Sequence, residues 1–158
     1  MADVIDILST SNNYPEAELS NFYPYPFEID GVKCGGMEGF LQSLKFFNKK
    51  KQLLVCALSG KKAKKTGEKK LFWKLIGRVY WQGKIIKRQS KDFDHLISLA
   101  YNEMYKQNKS FRDALAASRG KKLAHSIGSH DKRKTILTEE EFISRLEWLR
   151  ELDTSDEA

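Results

Sequence analysis

The segment "GGMEGFLQSLKF" (residues 35–46) carries two stripes of side chains at helical spacing. The apolar stripe recurs at i, i+3, i+4 and i+7 and consists of Met37, Phe40, Leu41 and Leu44. The polar stripe consists of Glu38, Gln42 and Lys45, and at about 100° per residue it lies roughly 110–120° around the helix from the first. The apolar stripe predicts a helix that faces the core. By local physics alone, the polar stripe fits either a solvated face or the wall of a site.

Length and composition predict one domain with a single sizeable core. The chain has 158 residues, of which 41% are hydrophobic and 31% are charged. No run approaches the roughly 18 apolar residues that a membrane span requires, and the opening "MADVIDILST" lacks the basic start and apolar core of a signal peptide. Cys34 and Cys56 are too few for a disulfide framework, so we expect reduced thiols in a cytoplasmic protein.

Charge is distributed unevenly along the chain. Residues 1–32 carry six acidic side chains and no Lys or Arg, whereas residues 33–134 carry 26 Lys and Arg against seven acidic side chains. Residues 135–158 carry two Arg against eight acidic side chains. A basic middle between acidic ends favours a polyanionic partner, which is either nucleic acid or the phosphates of a nucleotide. The alternative is that the lysines only keep a small protein in solution.

Local motifs predict an α+β fold, a mostly helical single domain at residues 1–152 with a small antiparallel sheet. "FEIDGVKC" predicts a hairpin around Asp30-Gly31, and "RVYWQGKIIKR" predicts a second strand pair that turns near Gln82-Gly83. We expect a disordered tail at residues 153–158.

Several helices are also predicted from sequence. "QLLVCALSG" indicates a short buried helix closed by Gly60, and "KKAKKTGEKK" (61–70) indicates either a mobile solvated segment or an edge that faces phosphate. Three capping signals mark further helix starts: Ser90 before a helix from Lys91, Ser110 with Asp113 before a helix that Gly120 ends, and Thr138 with Glu141.

Motifs for common cofactors are absent from the sequence. The histidines His95, His125 and His130 fall in no zinc-binding spacing, and no nucleophile elbow, dinucleotide fingerprint or P-loop occurs. We therefore expect no metal and no cofactor. Trp81 lies next to a predicted turn with Arg78 and Arg88 nearby, a grouping that can stack on a base while the arginines hold phosphate.

Four segments, in order along the chain, together resemble the NADAR family, also called YbiA-like. They are "LSNFYPYPFEIDGV", "MEGFLQSLKF", "VYWQGKIIKRQS" and "HSIGSHDKRKTILTEEEF", and the resemblance covers roughly residues 17–150. It implies an α+β fold and N-glycosidic chemistry on ADP-ribose-type compounds. Activities known in the family include removal of ADP-ribose from guanine bases and hydrolysis of phosphorylated riboflavin-pathway intermediates.

The resemblance also assigns residues. It makes Glu38 the essential glutamate of the family and Asn21 part of the ribose-side contact, and it matches Trp81 to a tryptophan position. Many members have Glu-His at the helix start, where this chain has Glu38-Gly39. Many also have an Asp…Trp-Gly element near the C-terminus, where this chain has "HSIGSHD" without tryptophan. Asp131 stands in for the acidic residue of that element, and the substrate can differ from that of the tryptophan-containing branch.

These residues suggest roles in breaking a glycosidic C–N bond. Positive charge develops on the ribose, and the Glu38 carboxylate would stabilise this charge or activate a water molecule. Lys45 offers a second route if partial burial lowers its pKa, because its amine can attack the opened sugar and form a Schiff base. Gln42 would orient the sugar or the water, and Asn21 would hydrogen-bond a ribose hydroxyl.

The remaining candidates are assigned to substrate binding. Phe22 or Trp81 would stack on a base, and His125 is placed in the same substrate-binding set. Arg78, Arg88 and some lysines of 61–70 would hold the diphosphate or flanking DNA.

The sequence thus predicts an N-glycosidase that removes ADP-ribose from guanine in DNA or RNA and has no membrane partner. It does not predict the oligomeric state. One alternative is a glycosidase for a small phosphorylated metabolite of the riboflavin pathway or derived from NAD. Another is a nucleic-acid binder without enzymatic activity. A third is a binder that sequesters a free ADP-ribose-type nucleotide.

Overall fold

The computed structural model describes residues 3–157, and the side chains of residues 3–152. The strands in this range are β1 (Val4–Asp6), β2 (Phe27–Ile29), β3 (Val32–Cys34), β4 (Arg78–Trp81), β5 (Lys84–Lys87) and β6 (Lys122–Ala124). The helices are α1 (Met37–Ser43), α2 (Lys49–Cys56), α3 (Gly60–Glu68), α4 (Phe72–Ile76), α5 (Lys91–Gln107), α6 (Lys109–Ala117) and α7 (Glu139–Glu157). The predicted tail at 153–158 lies outside the described side chains and stays a prediction.

The strands form three separate pairs. β2–β3 and β4–β5 are the two predicted antiparallel hairpins. In each hairpin, both central residues of the turn have positive φ, as tight hairpin turns require. The values are 50° and 77° at Asp30-Gly31 and 47° and 84° at Gln82-Gly83. The third pair, β1 with β6, is parallel and was not predicted. It joins residues 4–6 to residues 122–124.

The core forms around helix α5, which packs against α1, α7 and both hairpins. The apolar stripe of α1 lies inside it, with no member more than 2% exposed. The stripes of α5 and α7 are also buried and include Phe93, Ile97, Tyr101, Leu146 and Leu149. The mostly helical α+β prediction is therefore confirmed. None of the helices in the described range is long and apolar enough to cross a membrane.

Three details of the helices differ from the sequence predictions. The lysine-rich segment is helix α3, because its small residues Ala63 and Gly67 make a narrow buried stripe while the lysines point outward. Gly60 does not close α2, which ends at Cys56, and instead begins α3 with a φ of 53°. Asn108, rather than Ser110, occupies the position before α6.

A buried ion pair fastens the start of α7 to the end of β5. The Arg88 guanidinium donates to both carboxylate oxygens of Glu141, at 3.1 Å and 2.6 Å, and its Nε donates to the Thr135 carbonyl. Glu141 also accepts hydrogen bonds from the backbone N–H and hydroxyl of Thr138, whose own Oγ1 accepts from the Glu141 N–H. The predicted capping box is therefore confirmed, and the same carboxylate serves as cap and counter-charge.

Replacing Glu141 by Gln is expected to destabilise the fold by about 3–5 kcal/mol, because the buried Arg88 loses its counter-charge. Burial by itself raises the pKa of the Glu141 carboxyl, but hydrogen bonds from Arg88 and Thr138 outweigh burial and hold this pKa below its usual value. The stabilisation is thus present above the ordinary carboxyl pKa and is lost as pH falls through the lowered one.

Urea unfolding at pH 7 and at decreasing pH measures both effects. Glu140→Gln is the matched control, because Glu140 is the exposed neighbour and should contribute little. An unchanged urea midpoint for Glu141→Gln would contradict the assignment.

Candidate active site

A cleft of about 510 Å³ opens beside α1. Its walls come from α1, α3, the segment 20–22 and the segment 125–138 that leads into α7. This volume lies within the range of about 300–1,000 Å³ that is typical of small-molecule sites. The polar side chains that line it are Ser9, Ser20, Asn21, Glu38, Gln42, Lys45, Lys64, Glu68, Lys74, His125, Ser129, Lys134, Thr135 and Thr138.

The polar stripe of α1 lies in the wall of this cleft. Glu38 is 8% exposed and Gln42 is 4% exposed, while Lys45 is partly buried. Because the apolar stripe packs into the core on the adjacent face, α1 is buried on both sides. The choice left open by the helical spacing is therefore resolved in favour of a cleft wall.

Glu38 is a buried carboxylate with one close side-chain donor. Gln42 Nε2 donates to Glu38 Oε1 at 2.8 Å, and the Glu38 backbone N–H donates to the Asn21 carbonyl at 3.2 Å. Burial raises the pKa of the Glu38 carboxyl, and the Gln42 hydrogen bond and the charges of Lys64 and Lys45 oppose this rise. Gln42 Oε1 is buried and has no hydrogen-bond partner among the described residues.

Lys45 lies one helical turn beyond Gln42. Its Nζ is 3.5 Å from the Gly67 carbonyl oxygen and 5.7 Å from the centre of the Trp73 ring. Burial lowers the pKa of Lys45 to about 8, and the nearby Glu38 carboxylate partly offsets this effect. Near pH 8, about half of the Lys45 side chains are therefore uncharged amines.

His125 enters the cleft with a fixed tautomer. Its Nδ1 lies 2.9 Å from the Ile7 carbonyl oxygen, which can only accept, so Nδ1 carries the proton and Nε2 of the neutral ring keeps its lone pair. The His125 backbone N–H donates to Glu139 at 2.6 Å, and the ring meets Phe142 edge-on at 5.3 Å. The imidazole can therefore accept a hydrogen bond from a hydroxyl in the cleft.

Asn21 and Phe22 also line the cleft. Asn21 Oδ1 accepts a hydrogen bond of 2.6 Å from the buried Tyr101 hydroxyl, which leaves the Asn21 Nδ2 donors available to a ligand. The Phe22 ring is partly exposed, and Lys64 Nζ lies 5.9 Å from its centre. An aromatic face beside a cation suits a base with attached phosphates.

Trp81 and Arg88 are not in the cleft, which corrects the prediction that they contact the substrate. Trp81 is 5% exposed, donates from Nε1 to Asp30 at 2.8 Å and packs edge-on against Phe40 in the core. Arg88 is 2% exposed, and its guanidinium is occupied by Glu141. Both side chains hold the fold together.

Arg78 and Asp131 also lie outside the cleft lining. The Arg78 guanidinium donates to the carbonyls of Ile76 and Gly77 and borders a second, smaller cavity. Asp131 pairs with Arg133 at 3.2 Å, and this partner holds the pKa of Asp131 below its usual value. The structure therefore does not bring Asp131 to Glu38 as a second cleft carboxylate.

The sequence analysis assigns some lysines of 61–70 to phosphate, but it misses two further cations of the cleft. Lys64 lies in the segment predicted as a possible phosphate-facing edge. The four-residue spacing of Ala63 and Gly67 is the signal that would have shown which face of this segment is buried. Lys74 and Lys134 come from α4 and from the loop before α7, and neither has a local sequence signal.

Gly39 stands where the resemblance to the NADAR family leads us to expect histidine, and this difference has a steric cause. A Cβ built on Gly39 would lie 2.0 Å from the Leu58 carbonyl oxygen and 2.8 Å from that of Cys56. No side chain fits there unless the backbone between α2 and α3 moves. The Glu-His pair of many family members is therefore incompatible with the helix packing of this chain.

Comparison with known proteins defines the class. The NMR structure of the E. coli protein YbiA superposes with a TM-score of 0.64 at 20% sequence identity, covering 99% of this chain and 88% of YbiA. The protein is therefore an α+β domain with the YbiA fold, which confirms the fold that the NADAR resemblance implies.

The particular family is that of bacteriophage protein GP30.3. The model of this family matches residues 13–151, and the chain belongs to it. A relative in Enterobacteria phage T4, the "Uncharacterized 17.1 kDa protein in Gp30-rIII intergenic region", is 45% identical over 139 residues, or 87% of this chain and 91% of the T4 protein.

Replacing Gly67 by Ala is expected to disturb the Glu38–Gln42 pair. A Cβ at Gly67 would lie 2.0 Å from Gln42 Oε1 and 2.8 Å from Gln42 Cβ, so the amide must leave its position. We expect a loss of about 1–2 kcal/mol in stability, because overpacking outweighs the helix propensity of Ala. The pKa of Glu38 should rise further as its donor departs. Thermal unfolding and a carboxyl NMR titration measure these effects.

Lys65→Ala is the matched control, because Lys65 is exposed on the same helix. If Gly67→Ala left the Glu38 titration unchanged, the proposed link between α3 and the carboxylate would be wrong.

Proposed function

We propose that the protein is an N-glycosidase that hydrolyses the bond between ADP-ribose and guanine in nucleic acid. The observation that carries this proposal is the buried Glu38 carboxylate in the wall of a cleft of nucleotide size, beside Lys45 and Lys64. The YbiA fold and the NADAR resemblance support the same class of chemistry.

The reaction would proceed by charge stabilisation. As the C–N bond breaks, positive charge develops on C1 of the ribose, and the Glu38 carboxylate stabilises it. Water adds to C1 as hydroxide. The proton that the water loses is matched by the proton that the released guanine nitrogen takes up. Gln42 holds the carboxylate in place through the 2.8 Å hydrogen bond.

Other cleft residues would bind the rest of the substrate. Asn21 Nδ2 donates to a ribose hydroxyl, His125 Nε2 accepts from another, and the Phe22 ring stacks on a base. Lys64 and Lys134 supply positive charge for the diphosphate.

Lys45 offers a second route in the same cleft. Its neutral amine can attack C1 of the ring-opened sugar, and the guanine nitrogen then leaves with a proton to give a Schiff base with Lys45. Water hydrolyses this Schiff base, which releases ADP-ribose and restores the lysine amine. The lowered pKa of about 8 makes this amine available near neutral pH. The charge-stabilisation route requires Lys45 as a cation, whereas the Schiff-base route requires its neutral amine. The pH dependence of the rate therefore distinguishes the two routes.

Glu38→Gln is expected to lower the release of ADP-ribose by about 10²–10⁴-fold, since the neutral amide cannot stabilise the developing charge. The substrate is an oligonucleotide with one ADP-ribosylated guanine, and free NAD and ADP-ribose serve as comparison compounds. Glu147→Gln is the control, because Glu147 is exposed on α7 and lies outside the cleft lining.

No turnover of the oligonucleotide by the wild-type protein would contradict the proposal. Turnover of a small phosphorylated metabolite alone, with weak salt dependence, would support the metabolite alternative. Binding that Glu38→Gln leaves intact, without turnover, would indicate a non-catalytic binder.

We expect kcat/KM to be bell-shaped in pH. The rate should rise as Glu38 ionises, above the usual carboxyl range because burial raises its pKa, and fall above about pH 8 as Lys45 loses its positive charge. Lys45→Arg should move the falling limb to higher pH, because arginine stays charged.

Borohydride trapping tests the other route. A rate that keeps rising above pH 8, together with a reduced covalent adduct that Lys45→Arg does not form, would assign the nucleophile to Lys45.

A further inference from the structure

A second cavity of about 190 Å³ adjoins the cleft. Lys74 lines both cavities, and the loop before α7 forms a shared wall, with residues 132–133 facing the second cavity and residues 134–135 facing the cleft. The charged residues that line the second cavity are all cationic: Lys74, Arg78, Lys87, Arg88, Lys132 and Arg133.

Most of this positive charge is uncompensated. Arg88 is paired with Glu141, and Arg133 is paired with Asp131. The other four, Lys74, Arg78, Lys87 and Lys132, have no ion-pair partner in the part of the chain that the structure describes. Like charges held together in one concave surface attract an anion strongly.

A tryptophan connects this cavity to the site. Trp73 lines the second cavity, is 1% exposed, and its ring lies 5.7 Å from Lys45 Nζ and 6.0 Å from Lys74 Nζ. Its buried Nε1–H has no acceptor among the described residues. An unpaired buried donor is costly, so a residue in the wall of this cavity carries a polar group that the described protein atoms do not satisfy.

We propose that this cavity binds backbone phosphates of the nucleic-acid strand whose modified guanine occupies the cleft. The cleft has its own cations for the diphosphate of the target, Lys64 and Lys134, so a second cationic cavity beside it fits phosphates beyond the target nucleotide. The placement of the strand rests on the proposed function, whereas the phosphate site itself rests on the cavity alone.

The test measures the binding of a labelled, unmodified single-stranded oligonucleotide of about 12 nucleotides. Binding is measured by fluorescence anisotropy at several salt concentrations. Lys87→Ala/Lys132→Ala removes two exposed cavity lysines. Lys84→Ala/Lys122→Ala is the matched control, because it removes two exposed lysines outside the cavity, and Lys84 lies at the other end of β5 from Lys87.

The cavity pair, the double variant Lys87→Ala/Lys132→Ala, should weaken binding about tenfold. It should also lower the salt slope by about 1.4, because each lost phosphate contact on a single strand contributes about 0.7. The control pair should change the affinity less than about twofold. Equal losses for the two pairs would show only diffuse attraction to a basic protein and would overturn the proposal. Circular dichroism and thermal unfolding establish that both variants fold.

Competition with ADP-ribose separates the strand from the nucleotide. If the cavity pair weakened ADP-ribose binding as much as oligonucleotide binding, the cavity would hold the phosphates of the nucleotide itself, and the strand assignment would be overturned. Cavity-dependent binding of the unmodified strand by a protein that releases no ADP-ribose would support the phosphate site and overturn the proposed function alone.

Discussion

The close approach of α1 to the backbone between α2 and α3 is the constraint on which the site depends. Gly39 and Gly35 lack the Cβ that would collide with the carbonyls of Leu58 and Ala57, at 2.0 Å and 2.4 Å respectively. Helix α3 follows directly from this connection, so Gly67 comes to rest against Gln42. The same geometry aligns the polar stripe of α1 with the cations of α3. A residue larger than glycine at position 39 would separate the two walls of the cleft.

Burial acts on the two ionisable groups of α1 in opposite directions. It raises the pKa of Glu38 and lowers that of Lys45, and each group partly restores the charged form of the other. Desolvation therefore brings both pKa values closer to neutrality than they are in water. A carboxyl with a raised pKa beside an amine with a lowered pKa is a pairing typical of catalytic sites.

Local sequence signals are sufficient where the structure is built from neighbouring residues. The Asp30-Gly31 turn and the capping box at Thr138 are each complete within a few positions, so the sequence predicts them correctly. Periodicity places Glu38, Gln42 and Lys45 on one face, but it cannot tell which face meets solvent. Long-range partners have no such signal. The turn beside Trp81 and the arginines near it favour a substrate contact. The true partners of Trp81 and Arg88 lie 51 and 53 residues away, and only the folded chain brings them together.

The parallel pairing of β1 with β6 has a consequence for the order in which the molecule is assembled. The carbonyl of Ile7 fixes the tautomer of His125 across 118 positions, and Asp6 holds Ser126 beside it. Closing so long a loop is slow, because chain entropy is lost before the contact forms. A chain emerging from the ribosome has α1 well before it has the wall at residues 125–138. The wall that completes the cleft beside Glu38 is thus among the last parts of the chain to be made.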